Sequence, residues 1–151
     1  MKAAPLHIAQ IIGHFGGGGA ERVAWNLALA LQNHGVRSTC IALRSAGGFA
    51  GEASSATVLD LAANNGVSSR LRGLRMLRRF IRNARPELLH VHGPQSLVFT
   101  ALAYTGLRSR PPLWFTWHDS GAARAEQTLP RSVRWALGRC DRLFASSRLV
   151  A

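Results

Sequence analysis

The feature that most restricts this chain is an alternation of short apolar runs with amphipathic stretches. HIAQIIG at 7–13, STCIAL at 38–43, TVLDL at 57–61, ELLHVH at 87–92, LWFTWH at 113–118 and RLFA at 142–145 each read as a short buried strand. Between them, 20–33, 68–84, 94–104 and 130–137 read as helices. In the first of these, Val23, Ala24, Leu27, Ala28 and Leu31 repeat at the spacing of one helix face, and Gly35 follows as a stop. Pro86 ends the second, Gly106 closes the third and Pro130 opens the fourth. Strands alternating with helices imply βαβ units with right-handed crossovers. The expected fold class is α/β, with a mostly parallel sheet of about six strands.

The chain has 151 residues, the size of one domain, with 47% hydrophobic residues and a mean hydropathy of +0.03. These values exclude a disordered chain. Two cysteines, Cys40 and Cys140, exclude a disulfide scaffold and a Cys-rich zinc module. No apolar run approaches the roughly 20 residues of a membrane span, and the N-terminus is a poor signal peptide. The expectation is a soluble protein of a reducing compartment, 1–151 forming a single domain. Residues 120–129 look irregular. Ser146 and Ser147 are candidates to cap a further helix, and a chain stopping at Ala151 looks cut from something longer.

The first strand runs into Gly16, Gly17, Gly18 and Gly19, and Ala20-Glu21-Arg22 opens the helix that follows. Glycines let backbone approach a ligand closely, and a helix N-terminus offers free amides to a phosphate. The run fits neither dinucleotide fingerprint nor P-loop: the fingerprint's last position falls on Glu21 or Arg22, and Gly19 is followed by Ala20. A plain turn is the alternative, as is a dipole-favoured first-turn acid for Glu21. His90 and His92 share one face of the fourth strand, and His118, followed by Asp119, ends the fifth. Ligands of open α/β sheets bind outside the strands' carboxyl ends, so the glycine loop, His92 and His118 should converge on one crevice. His90, deeper in its strand, reads as a satisfied core histidine. No metal is expected: HExxH and paired CxxC motifs are lacking, and H-x-H hydrolases are typically larger barrels. No G-x-S-x-G elbow supports a serine hydrolase.

Basic residues number 19 against seven acidic, a net charge of +12, and all but Lys2 of the basic set are arginine. Seven arginines fall between 70 and 85, around an expected core stripe of Leu71, Leu74, Leu77 and Ile81. A solvated helix face is the bland reading, and docking on an anionic membrane surface the sharper one. Nucleic acid is disfavoured, because no aromatic stacking platform is interleaved. Trp114, Phe115 and Trp117 lie in a strand and read as core or ligand wall.

In order along the chain, GGGGAER at 16–22, PELLHVHG at 86–93, WFTWHD at 114–119 and CDRLFASS at 140–147 resemble the N-terminal half of a GT-B glycosyltransferase of the retaining family four. The resemblance implies a Rossmann-like three-layer α/β/α domain, one half of a GT-B fold. It implies transfer of a sugar from a nucleotide-sugar donor to an acceptor hydroxyl with retention, with no cofactor and no metal. By the same resemblance Gly16, Gly17, Gly18 and Gly19 lie beside the donor phosphates and sugar, with Arg22 near the phosphates. His92 is the active-site histidine, and His118 and Asp119 line the side of a glycan, lipid-linked or small-molecule acceptor. The family's nucleotide-binding C-terminal domain is absent from these 151 residues, so the isolated chain is expected to be inactive until such a domain completes it in cis or trans. The implied location is cytoplasmic, with peripheral docking on the inner membrane face through the 70–85 helix. The alternative is a non-catalytic module binding a glycan or a partner.

Overall fold

A computed structural model of the chain describes residues 5–16, 18–45, 57–63, 66–118 and 129–146. The element order is β1 (His7–His14), α1 (Gly19–Asn33), β2 (Arg37–Ser45), β3 (Thr57–Asp60), α2 (Val67–Ala84), β4 (Leu88–His92), α3 (Pro94–Tyr104), β5 (Leu113–Trp117), α4 (Arg131–Leu137) and β6 (Arg142–Ala145). The six strands form one sheet in the order β3-β2-β1-β4-β5-β6, and every neighbouring pair is parallel. The chain winds outward from β1 to β3, then crosses back to β4 and winds the other way. The order therefore reverses between β1 and β4, where open α/β sheets form their ligand crevice.

Side-chain alternation divides the core into two layers. On one face Ile12 and Phe15 pack with Cys40 and Ala42 of β2 under Ala24, Trp25 and Ala28 of α1. On the other, Ala9, Ile11, Leu89, Val91, Leu113 and Phe115 meet Leu77 and Ile81 of α2, Leu97 and Ala101 of α3 and Ala136 of α4. The result is a three-layer Rossmann-like α/β/α arrangement, the parallel α/β class of the sequence pattern in the form that the family resemblance implies. Phe115 and Trp117 belong to this second layer, whereas Trp114 faces the α1 side beside His90. Element bounds agree with the sequence reading to within a residue or two. His118 lies just past the end of β5, and residues 119–128 and Ser147 lie outside the described residues.

One expectation is corrected. Leu71 is 46% exposed and does not belong to the core stripe of α2. At 100° per residue it lies about 120° around the helix from Leu77. The buried line is instead Gly73, Leu77 and Ile81, with Leu74 partly buried at its side. Gly73 is where α2 comes closest to its neighbours. A Cβ there would stand 2.6 Å from Ala63 Cβ and 3.2 Å from Phe99 Cζ.

A larger side chain at this contact has nowhere to go. Gly73→Val is expected to lower the urea-unfolding free energy by about 1–3 kcal/mol. An unchanged urea midpoint would show that α2 does not pack here as closely as described.

Candidate functional site

β1 ends in His14, Phe15 and the glycine loop. Phe15 is fully buried, edge-on to Trp25 of α1 at a centroid distance of 6.0 Å, and this contact anchors the loop to the helix it precedes. Gly18 is the N-cap of α1, and no side chain caps the helix. The Arg22 amide closes onto Gly18 O, which leaves the first-turn amides of 19–21 without a capping side chain. A Cβ on Gly18 would collide with the Glu21 carboxylate, and one on Gly16 would lie 2.7 Å from the His14 ring. Both contacts are with the far ends of side chains that can turn aside, so the loop tolerates a close approach without demanding glycine at either position. Gly17 lies outside the described residues.

α3 supplies a second open helix end on the same side of the sheet. Gly93, at φ +84, turns the chain directly out of β4, Pro94 takes the first turn, and again no side chain caps the helix. The end of β1 lies against the start of α3: the ideal Cβ position of Gly13 is 3.7 Å from Ser96 Oγ. Arg44, at the carboxyl end of β2, donates from Nη2 to Gln95 Oε1 at 3.0 Å across the same rim. Two helix N-termini and the carboxyl ends of β1, β2 and β4 thus meet in one place.

Beneath them runs a chain of polar side chains. Register pairs Gln10 with His90, His90 with Trp114 and His92 with Thr116. Gln10 and His92 are almost fully buried, at 1% and 2% exposure. Gln10 Oε1 lies 2.9 Å from His92 Nε2, and His92 Nδ1 lies 2.9 Å from His118 Nε2. With the Gln10 oxygen as acceptor, His92 donates from Nε2 and its Nδ1 accepts the His118 Nε2 proton, so one amide sets the tautomer of two imidazoles. His118 is half-buried, stacked on His92 at 5.2 Å, and the Glu21 carboxylate acts on it. Gln10 Nε2 has no partner among the described residues, a deficit of about 1–3 kcal/mol in a buried group. His90 Nε2 lies 2.7 Å from Thr116 Oγ1, the satisfied core histidine that its position in the strand suggests. Alongside, Ile8, Leu27, Leu31, Trp114 and Phe144 line a largely apolar groove of about 350 Å³ between α1 and the sheet.

Burial dominates the electrostatics. It pushes His90 down to about 4, with the nearby His118 adding to the shift. His92 falls further, through burial and then through the two flanking imidazoles. His118 is lowered by burial, which the Glu21 carboxylate opposes. At neutral pH the three rings form an uncharged network. No group of three or more His, Cys, Asp or Glu suited to a metal ion occurs among the described residues.

Of the residues singled out from sequence, Gly16, Gly18, Gly19, His92 and His118 gather at this end of the sheet. Arg22 is exposed on the first turn of α1, beside the loop. Asp119 lies outside the described residues. Gln10, Glu21 and Gln95 carry parts of the arrangement that the sequence reading did not assign. The available signal for Gln10 was a lone amide inside an otherwise apolar strand, on the parity of Ile8 and Ile12.

Two expectations follow from the buried rings. Their folded values lie below the ordinary 6.5, so the unfolded chain takes up protons first as the pH drops. The stability they support is complete above pH 6.5 and is lost as the pH falls toward 4, at up to about 1.4 kcal/mol per pH unit per histidine. Urea midpoints at pH 7 and pH 5 measure this, and equal midpoints would contradict it. Gln10→Leu removes the acceptor that fixes the ring of His92. The ¹⁵N shifts of its two ring nitrogens, distinct in the parent, should move toward a mixture of tautomers. Unchanged shifts would mean that Gln10 does not set them.

The fold has solved relatives. MurG of Acinetobacter baumannii superposes with a TM-score of 0.70 at 14% identity, covering 97% of this chain and 43% of its own. The lipopolysaccharide outer core galactosyltransferase WaaB gives a TM-score of 0.71 at 12% identity, with 96% and 40% covered. The UDP-GlcNAc 2-epimerase of Methanocaldococcus jannaschii gives 0.66 at 12%, with 96% and 40% covered. The chain therefore spans about two fifths of the length of each, and matches one half of a GT-B architecture. Among curated proteins, none matches the sequence. A family model described as Glycosyltransferase Family 4 matches residues 17–151, and the chain belongs to that family.

Proposed function

We propose that this domain is the acceptor-side half of an enzyme that moves a sugar from a nucleotide-sugar donor to an acceptor hydroxyl, with retention at the anomeric carbon. The observation that carries the reading is the meeting of two uncapped helix N-termini over the buried Gln10–His92–His118 chain. Breaking a sugar–diphosphate bond develops negative charge on the leaving phosphate and positive charge on the sugar ring. Free amides at 19–21 and 95–96, with the positive ends of their helices, suit the phosphate without moving. An imidazole held neutral suits the sugar, because a cation there would repel the charge that the ring acquires.

In this reading His92 hydrogen-bonds the transferring sugar, Gly16 to Gly19 and Arg22 border the donor phosphates, and His118 with Asp119 faces the acceptor. A glycan, a lipid-linked sugar and a small molecule are all acceptors compatible with the site. A second Rossmann-like domain, in cis or in trans, holds the nucleotide, and transfer is positioning of acceptor against donor once the two halves close. Two free cysteines, Cys40 and Cys140, support a reducing, cytoplasmic setting. No described helix is long and apolar enough to cross a membrane.

The test joins this chain to a nucleotide-binding domain of a family member and screens nucleotide sugars against acceptor hydroxyls. The joined protein should form product with the donor's anomeric configuration, read by proton NMR, while the isolated chain should show no useful turnover. His92→Ala in the joined protein should reduce kcat by about 10²–10³, the loss typical of one preorganised donor. Absence of transfer by the parent fusion across the screen would overturn the reading. Full activity of the variant would remove His92 from it.

A further inference from the structure

The opposite end of the sheet carries a second concave surface. The last turns of α2 and the segments leading into β4 and β5 enclose a cleft of about 880 Å³. Five arginines line it, Arg78, Arg82, Arg85, Arg108 and Arg110, against the single carboxylate of Glu87. Glu87 is already engaged: its Oε2 accepts the His7 amide at 2.7 Å. Further along α2, Arg75 and Arg79 extend the basic wall.

The cleft is built rather than a chance gathering of surface chains. Arg78 donates from Nη1 to Thr105 O at 2.6 Å, tying α2 to the loop before β5. Tyr104 donates its hydroxyl proton to Pro111 O at 2.9 Å, and the Arg110 guanidinium lies over the Tyr104 ring at 5.5 Å. Pro111 and Pro112 stiffen the same loop. Between these fixed walls the guanidinium groups of Arg82, Arg85 and Arg108 have no hydrogen-bond or ion-pair partner among the described residues.

Arg85 adds an independent sign. It ends α2 in the left-handed region, at φ 44 and ψ 57, the place where a helix favours glycine. A guanidinium is kept at a backbone position that disfavours any side chain, and it lines the cleft. Strands β4 and β5, at five residues each, separate this surface from the crevice by about 16 Å. It is therefore not part of the donor or acceptor site.

We propose that this cleft is a second anion site, taking a multiply charged phosphate group such as a pyrophosphate or polyphosphate. Planar guanidinium forks match phosphate oxygens in pairs, and several forks in one concavity match several charges. The phosphate comes either from a soluble compound or from a lipid headgroup.

The experiment uses the full chain with inorganic tripolyphosphate as probe, measured calorimetrically at two salt concentrations, alongside vesicles with and without an anionic phospholipid. Tripolyphosphate should bind, more weakly at high salt. The double variant Arg82→Gln, Arg108→Gln should weaken it at least tenfold, whereas His92→Gln should leave it unchanged. Arg85→Gly should also weaken binding while raising Tm, which a purely structural role for this arginine does not allow. Anionic-vesicle binding displaced by tripolyphosphate would assign the phosphate to a headgroup, and binding of tripolyphosphate alone to a soluble compound. No binding of either probe, or binding that the arginine variants leave intact, overturns the proposal. So does binding of single-stranded RNA without tripolyphosphate. None of these outcomes depends on sugar transfer.

Discussion

All six strands point the same way, and this constraint organises the rest. A parallel strand has to be returned by a crossover, so helices that follow strands begin where the strands end. Strand carboxyl ends and helix N-termini consequently share one side of the molecule, and helix C-termini and strand starts share the other. The reversal between β1 and β4 opens a gap on the first side, and α1 and α3, the helices that follow these two strands, begin at its edges. Gly93, at φ +84, lets α3 begin one residue after β4, and neither α1 nor α3 has a capping side chain at its start.

The polar chain under this gap is stable because it is neutral. Burying a charged imidazole as deeply as His92 would cost far more than its hydrogen bonds return. Two imidazoles and an amide avoid that cost by sharing single protons between neighbours, at 2.9 Å from Gln10 to His92 and from His92 to His118. The orphan Gln10 Nε2 is what remains unbalanced. A leucine at this position would pack without that deficit and would leave His92 with no acceptor for its proton. Retaining the glutamine trades some stability for a fixed ring, a trade that is common where a side chain must present one face to a ligand.

The α/β class, the number of strands and nearly every element were legible in the sequence because parallel strands are buried on both sides. They read as continuous apolar runs, and the helices between them as one-sided patterns. The convergence of the glycine loop with His92 and His118 was legible for the same topological reason. Leu71 was misplaced because an apolar stripe of Leu71, Leu74, Leu77 and Ile81 looks continuous in one dimension while drifting around the helix in three. Gly73, which contributes no hydrophobicity, marks the true contact. Gln10 was not assigned, and Glu21 was read only as a first-turn acid, because their roles depend on partners 82 and 97 residues away, His92 for Gln10 and His118 for Glu21. Only the register of β1 against β4, and the approach of α1 to the end of β5, brings them there.

The same topology accounts for the uneven distribution of charge. Apart from Glu21, Arg22 and Arg44 at its rim, the crevice side presents amides, helix dipoles and uncharged rings, whose fields are local and fixed by the fold. The far side relies on full charges carried by long side chains, gathered where α2 ends and the loop to β5 turns back. Guanidinium groups directly beside the imidazoles would lower the rings' proton affinity further. Placed a strand's length away, they leave the neutral network undisturbed. They also fall at the C-terminus of α2, where the helix dipole favours cations and partly offsets their mutual repulsion. The +12 charge of the chain is thus compatible with an uncharged imidazole network because the sheet holds the two apart.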